Sequence, residues 1–221
     1  MKAVFFDFDG TLTCKSPNIW KSIWEELGYD TGAGSEYKSQ LDAFLNGDIT
    51  YFEWCDETLE CYIDRNMNVD VLKNVSKNIQ LIQGASETFK ALKEKGYELH
   101  IISGNIIEVI KKVLGKNIKY FTSINANDFI FDKNNKLTFI KGTEYDCEGK
   151  AKFIQEYILK TNANPNELYF IGNGFNDEWA YLSGCNTICI NPEETEHTNS
   201  NKWHQVIYNL TDLKEILKFV K

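Results

Sequence analysis

The sequence predicts an α/β fold: a doubly wound, mostly parallel sheet with a helical cap inserted after the first strand. Short apolar runs of strand length alternate with segments of helical periodicity along most of the chain. That alternation is typical of parallel strands joined by crossover helices. A long stretch between the first and second apolar runs has helical periodicity alone, and it predicts the inserted cap.

Four apolar runs have the length and composition of buried strands. These strands are predicted at residues 2–6, 98–102, 168–171 and 187–190. Amphipathic periodicity predicts helices at residues 85–95, 106–114, 150–159 and 210–220. Gly96 and Gly115 end the first two helices, because glycine readily adopts the left-handed C-cap conformation.

Two regions depart from the alternation of strands and helices. Residues 128–140 carry two short apolar runs around the polar segment 132–135, which predicts a β-hairpin. The helical stretch predicts a second domain. We therefore predict an α/β core formed by residues 1–15 and 80–221, and a helical cap formed by residues 16–79.

Composition narrows the class of partner. The chain has 221 residues and a formal charge of −8 at pH 7, with no basic stretch. A surface of that sign repels nucleic acid and anionic bilayers, so neither partner is predicted. No run approaches the roughly 18 apolar residues that a membrane helix needs. The six cysteines are scattered without a C-x-x-C pair, which favours free thiols and a cytoplasmic location.

The first candidate site follows the N-terminal strand. Asp7 and Asp9 alternate along an extended backbone, so their carboxylates point to the same side. Two bare carboxylates at one strand tip repel each other, and a divalent cation that prefers oxygen ligands, such as Mg²⁺, relieves the repulsion. Gly10 permits the sharp turn that follows, and the Thr11 hydroxyl can hold the loop.

Two further segments are predicted to face the same crevice, because ligands of open parallel sheets bind outside the carboxyl ends of the strands. Ser103 and Gly104 follow the second strand. With a helix predicted directly after them, they form a small anion seat. Lys150 opens the third helix, where a cation opposes the helix dipole and so indicates another purpose. Lys152 is the alternative to Lys150 as the functional lysine of this helix.

A fourth segment, Gly-Asn-Gly-Phe-Asn-Asp at 172–177, follows the third strand. Taken in order, the four segments resemble the signature motifs of the haloacid dehalogenase superfamily, and specifically those of its phosphatases. The resemblance implies a Rossmann-like core domain and Mg²⁺ as cofactor. It also implies hydrolysis of a phosphomonoester through an aspartyl-phosphate intermediate.

The resemblance assigns a role to each matching residue. Asp7 would be the nucleophile, and Asp9 the general acid and base. The substrate phosphate would be bound by Ser103, Gly104, Lys150 and Thr11. The metal would be bound by Asp7, Asp9, Asn173 and Asp177, with Asn176 as an orienting hydrogen-bond partner.

Asn173 departs from the family pattern, which normally places a metal-binding carboxylate there. An amide oxygen can also bind Mg²⁺, but the site loses one formal negative charge, so weaker metal binding is predicted. Two alternative functions stay open at this point. One is a weakly active or inactive member that binds a phosphorylated ligand, and the other is a phosphotransferase that passes the phosphoryl group to an alcohol.

The cap is expected to close over the site and to select the substrate. Arg65 is the only arginine of the chain and could pair with a substrate carboxylate, although a surface charge at a helix end is the better-supported interpretation. The resemblance is strongest to phosphoserine phosphatases. Those enzymes usually carry a glutamate early in the cap, and residues 14–18 have none. Phosphoserine is therefore one candidate among small phosphorylated substrates, for a monomer or homodimer.

Overall fold

The computed structural model describes residues 1–14, 18–192 and 201–221. Seven strands and seven α-helices are present within these ranges. The strands are β1 Lys2–Phe6, β2 Tyr97–Ile106, β3 Ser123–Phe131, β4 Leu137–Lys141, β5 Leu168–Gly172, β6 Asn186–Ile190 and β7 Gln205–Ile207. The α-helices are α1 Ile19–Glu26, α2 Glu36–Asn46, α3 Tyr51–Asp64, α4 Val69–Val75, α5 Ala85–Glu94, α6 Ile107–Leu114 and α7 Glu148–Thr161.

The strands form one sheet in the order β4-β3-β2-β1-β5-β6-β7. The described strand pairs are parallel except for β3 and β4, which are antiparallel. β1 lies near the centre, paired with β2 on one side and β5 on the other. The residues that follow these three strands are therefore neighbours at one edge of the sheet.

Side chains of β1 alternate between the two faces of the sheet, as the period of a strand requires. Val4 and Phe6 are buried in a cluster that includes Phe89 of α5. Phe5 is buried on the opposite face, in a cluster that includes Ile154 of α7. Each buried phenylalanine contributes roughly 2–3 kcal/mol. Because helices cover both faces, the predicted doubly wound α/β fold is confirmed.

The cap consists of α1 to α4, which the chain inserts between β1 and α5. Trp24 is fully buried among the rings of Tyr29, Tyr37 and Tyr62. The same apolar cluster includes Phe129 of the β3–β4 hairpin. The cap is thus anchored to the core through a shared hydrophobic interior. The predicted domain boundaries stay a prediction.

Two details of the predicted elements are wrong. The helix predicted at 210–220 is a short 3₁₀ helix, Leu213–Lys218, with Asp212 as its N-cap. The backbone N–H of Leu210 donates to Asn191 Oδ1 and that of Leu213 to Gln83 O, so tertiary contacts prevent an earlier helix start.

The second predicted strand is longer than the apolar run at 98–102 indicated. β2 continues to Ile106, and α6 begins one residue later. Ile106 is fully buried, and it pairs with Asn127 of β3 after an irregularity in the register. The hairpin predicted at 128–140 is confirmed as β3 and β4. None of the helices that the structure describes has the length and apolarity to cross a bilayer.

Candidate active site

Asp7 lies directly after β1, at the carboxyl edge of the sheet. Its backbone N–H donates to Ile171 O at 2.9 Å, and the residue is only 5% exposed. The chain then turns sharply through Gly10, whose φ of +69° belongs to the left-handed region that glycine tolerates. A Cβ atom at Gly10 would lie 2.3 Å from Asn173 Nδ2, so glycine also permits close packing of the two loops.

Lys150 lies beneath Asp7 in the first turn of α7 and is fully buried. Its ammonium group donates to Asp7 Oδ1 at 2.9 Å and also to Asp177 Oδ1. Lys152, the alternative from the sequence, is more than half exposed and pairs with Glu148 at 3.6 Å. The structure therefore brings Lys150, and not Lys152, to Asp7.

The buried charges shift one another's protonation. Burial raises the pKa of the Asp7 carboxyl well above its usual range, and the neighbouring Asp177 and Asp9 raise it further. The Lys150 ammonium lowers the Asp7 pKa and so favours the ionised carboxylate. Burial lowers the pKa of Lys150 itself, but Asp177 and Asp7 raise it more, so Lys150 stays charged.

Asp177 holds the loop that follows β5. Its Oδ2 accepts hydrogen bonds from the backbone N–H groups of Asn173 at 2.8 Å and Gly174 at 3.0 Å, while Oδ1 accepts from Lys150. Both carboxylate oxygens therefore have protein partners, and the residue is fully buried. Metal binding by Asp177 stays a prediction; the observed contacts position Lys150 and the loop.

Thr11 and Asn173 join the first and last predicted motifs. The Thr11 hydroxyl donates to Asn173 Oδ1 at 3.0 Å. Thr11 is fully buried and does not line the cleft between the sheet edge and the cap, whereas Asn173 does. Thr11 thus orients the amide of Asn173 in this structure, and its predicted contact with phosphate stays a prediction.

Ser103 and Gly104 lie within the last residues of β2, opposite Asp7. The sequence placed them at a helix N-terminus, and this is wrong because β2 continues to Ile106. Within this strand the backbone N–H of Asn105 donates to Ser103 Oγ at 3.2 Å. The side-chain amide of Asn105 donates to Asp9 Oδ2 at 2.7 Å. Asn105 therefore orients the second aspartate, a role that the sequence analysis missed.

Asp146 is a second residue that the sequence analysis missed. Its carboxylate accepts from the side-chain amide of Asn176 and lies 3.8 Å from the Lys150 ammonium. A Cβ atom on Gly104 would lie 2.8 Å from Asp146 Oδ2, so glycine makes room for this carboxylate. The available signal was its spacing, four residues before Lys150 at the start of α7.

These groups open into one cleft of about 690 Å³ between the sheet edge and the cap. Its core side includes Asp7, Asp9, Ser103, Gly104 and Asn173. The structure thus gathers residues of all four predicted motifs in and beneath one cavity.

Comparison with known proteins identifies the family. The model of the haloacid dehalogenase-like hydrolases matches residues 1–181, most of the chain. The chain belongs to the haloacid dehalogenase-like hydrolases. The resemblance that the motifs indicated is therefore confirmed, together with the prediction of an enzyme.

Within this family the chain is similar to proteins named phosphoserine phosphatase. The one from Archaeoglobus fulgidus is 27% identical over 80% of this chain, which spans about half (48%) of that relative's length. The one from Methanocaldococcus jannaschii is 24% identical, and the match includes all of this chain and 98% of that relative. A solved phospho-aspartyl intermediate analogue of phosphoserine phosphatase has a TM-score of 0.74 at 23% identity, with 100% of this chain and 99% of that chain covered.

The donor set of this haloacid dehalogenase-like site fits a divalent cation that prefers oxygen ligands. Asp7, Asp9 and Asn173 line the cleft and offer carboxylate, carbonyl and amide oxygens. Burial raises the pKa of Asp7, and the neighbouring Asp177 and Asp9 raise it further, so a bound cation would favour the ionised carboxylate. Among the described residues, no three carboxylate, histidine or cysteine side chains form a metal site by themselves. A cation bound here would therefore need other oxygen ligands, such as the Asp9 carbonyl and the Asn173 amide.

Arg65 lies away from the cleft. It is the C-cap residue of α3, and its guanidinium packs over the Tyr29 ring at 4.6 Å with Asp64 at 3.7 Å. It is not among the residues that line the cleft. The structure therefore places Arg65 at a helix end, and the suggested contact with a substrate carboxylate is not supported, because the side chain is held by Tyr29.

Proposed function

We propose that this protein is a Mg²⁺-dependent phosphomonoester hydrolase that works through an aspartyl-phosphate intermediate on Asp7. The observation that carries the proposal is the environment of Asp7 at the tip of β1. This carboxylate is buried, is bonded to Lys150 at 2.9 Å, and shares its cleft with Asp9 and Ser103. Phosphoryl transfer depends chiefly on such positioning and charge neutralisation.

In the first step, a carboxylate oxygen of Asp7 attacks phosphorus and the ester P–O bond breaks. The departing alkoxide takes the proton of Asp9 and leaves as the neutral alcohol, and Asp9 becomes a carboxylate. The Asn105 amide holds the Asp9 carboxyl at 2.7 Å and so fixes its direction. Ser103 and the backbone at Gly104 bind phosphate oxygens, and the Lys150 charge stabilises the charge that develops on them.

In the second step, the ionised Asp9 takes a proton from water and the water oxygen attacks phosphorus. The bond between phosphorus and Asp7 breaks, which releases inorganic phosphate and restores both aspartates. The position of Lys150 suits this step as well, because its charge lowers the pKa of Asp7 and so favours the departing carboxylate.

The cation would be held by Asp7, by the backbone carbonyl of Asp9 and by the Asn173 amide, with Asp177 adding charge from behind. When bound, it supplies charge screening between the anionic nucleophile and the anionic phosphate. Thr11 orients Asn173 for this purpose through its 3.0 Å hydrogen bond. Asn176, held by Asp146, would orient groups at the same edge of the cleft.

The substrate class that the relatives suggest is a small phosphorylated metabolite. Phosphoserine is a candidate because several relatives bear the name phosphoserine phosphatase. We also propose a cytoplasmic monomer or homodimer. All six cysteines are free thiols, which is the usual state in a reducing compartment.

Hydrolysis of p-nitrophenyl phosphate across a series of Mg²⁺ concentrations tests the proposal. We expect turnover that requires Mg²⁺ and is lost in Asp7→Asn. Turnover that appears only after Asn173→Asp would favour the alternative of an inactive module that binds a phosphorylated ligand. Phosphorylated alcohols formed with an added alcohol acceptor would favour a phosphotransferase.

A further inference from the structure

The cleft has two unlike walls. The core wall carries the acidic and amide groups that surround Asp7, whereas the cap wall is chiefly apolar. The apolar side chains of the cap wall are Ile19, Trp20, Leu41, Phe44, Leu45 and Trp54. The other cap residues that line the cleft are uncharged hydroxyl and amide side chains. No charged side chain of the described part of the cap lines the cleft.

The cations of the cap that could have met a carboxylate are held elsewhere. Lys21 pairs with Glu25 at 3.7 Å, and Lys38 pairs with Asp42 on the same helix. Arg65 packs over Tyr29 at the end of α3. None of these three lines the cleft. A substrate carboxylate therefore has no cationic partner on the described part of the cap.

The core side of the cleft adds repulsion. Glu144, Asp146 and Glu148 line it beside the active site. Lys152 also lines it, but its ammonium lies 3.6 Å from Glu148 and is offset by that carboxylate. Like charges in a partly desolvated cleft repel, so these groups disfavour a second negative charge on the substrate in addition to the phosphate.

The apolar wall begins beside Ser103 and Gly104, the proposed phosphate-binding residues, and it is attached to the core there. The Trp20 indole N–H donates to Gly104 O at 2.9 Å, which joins the cap directly to the residue next to Ser103. The Trp20 ring also packs on Trp54, with their centroids 4.8 Å apart. The first atoms of a substrate beyond its phosphate would therefore meet this rigid aromatic surface.

We propose, on the premise of the phosphatase function above, that the cap selects esters whose alcohol is apolar, aromatic or aliphatic, and carries no carboxylate. Phosphoserine would be a poor substrate. Its carboxylate would lose water against the aromatic wall without gaining a cationic partner, and burial of an unpaired charge is costly. Apolar surface gains free energy on the same wall.

The test compares kcat/KM for four monoesters at saturating Mg²⁺: 2-phenylethyl phosphate, ethyl phosphate, phosphoglycolate and L-phosphoserine. We expect 2-phenylethyl phosphate to exceed L-phosphoserine by about 100-fold or more, since such sites reject groups that they cannot pair. Equal or better use of L-phosphoserine or phosphoglycolate would overturn the inference and leave the proposed function standing. No turnover of any ester would reject both.

Variants of the cap wall separate selection from general damage. Leu45 is 60% exposed, so Leu45→Ala should fold, and Ile63→Ala is the matched control because Ile63 is an exposed cap residue outside the cleft. Leu45→Ala should lower kcat/KM for 2-phenylethyl phosphate about tenfold and leave ethyl phosphate unchanged. An equal loss with both esters, or the same loss in Ile63→Ala, would contradict a selective role.

Discussion

The two halves of the cleft are built by opposite means. On the core half, charged groups are buried together and joined by hydrogen bonds, as with Asp7, Lys150 and Asp177. On the cap half, aromatic and aliphatic side chains pack on one another, and the Trp20 indole donates a hydrogen bond to the core. On the proposals above, the chemistry resides in the strand ends, whereas the choice of substrate resides in the inserted helices.

The comparison also concerns stability. The charges of the core half are tolerated because each has partners of opposite charge or backbone donors, and removal of one partner leaves the others unsatisfied. The cap half tolerates exchange of exposed wall residues, because they contribute mainly apolar surface. Substitutions in the core half should therefore affect turnover of all substrates, and substitutions in the cap wall should affect some substrates only.

The largest effect is expected for Asp7→Asn. Without an ionised nucleophile no aspartyl-phosphate forms, so kcat should fall by about 1,000-fold or more for every ester. Steady-state kinetics with p-nitrophenyl phosphate check this, and mass spectrometry of trapped enzyme checks for loss of the phosphorylated residue. Retention of a large fraction of wild-type turnover would reject Asp7 as the nucleophile.

The next largest effect is expected for Lys150→Met. Loss of the ammonium leaves Asp7 and Asp177 buried beside each other, so kcat should fall about 100-fold and the free energy of unfolding by about 3 kcal/mol. Lys152→Met is the matched control, because Lys152 is exposed on the same helix. Denaturant titration and kinetics measure the two effects. Equal losses in both variants would remove the special role of Lys150.

Asn105→Ala tests the group that orients Asp9. Loss of the 2.7 Å hydrogen bond should lower kcat about tenfold with little change in KM, and should shift the pH profile of kcat. Asn125→Ala is a suitable control, since Asn125 donates to Ile101 O on the neighbouring strand and does not line the cleft. An unaltered pH profile would reduce Asn105 to a structural role.

Asn173→Asp tests the departure from the family pattern. One added negative charge beside Asp7 and Asp9 should lower the Mg²⁺ concentration needed for half-maximal turnover by about tenfold. Asn134→Asp adds the same charge on the exposed hairpin turn and should leave that concentration unchanged. Activity measured over a Mg²⁺ titration compares the two variants. If the Mg²⁺ concentration for half-maximal turnover is unchanged in Asn173→Asp, residue 173 does not bind the metal.

The smallest effect is expected for Arg65→Ala. Because Arg65 packs over Tyr29 and does not line the cleft, kcat/KM should stay within about twofold of the wild type for charged and uncharged esters alike. The four-ester comparison measures this. A loss confined to L-phosphoserine would indicate that Arg65 acts on the substrate from the cap, and it would weaken the contrast between the two halves.

Most of the fold could be predicted because the strands are short, apolar and separated by periodic helices. The C-terminal helix could not, because the contact of Leu210 with Asn191 lies outside any local pattern. The anion-binding residues Ser103 and Gly104 were wrongly predicted at a helix start for a related reason. The pairing of β2 with β3 extends β2 to Ile106, and strand pairing is not visible in a local sequence window.

The sequence by itself determined which chemical groups stand at the strand tips, because spacing along a strand and position after it follow from local geometry. Only the tertiary structure decided which groups touch. In the folded chain Lys150, and not Lys152, contacts Asp7. Asn105 contacts Asp9, and Arg65 packs over Tyr29 outside the cleft. The physical reason is that such contacts join residues far apart in the chain. Their partners depend on how the cap and the sheet pack together.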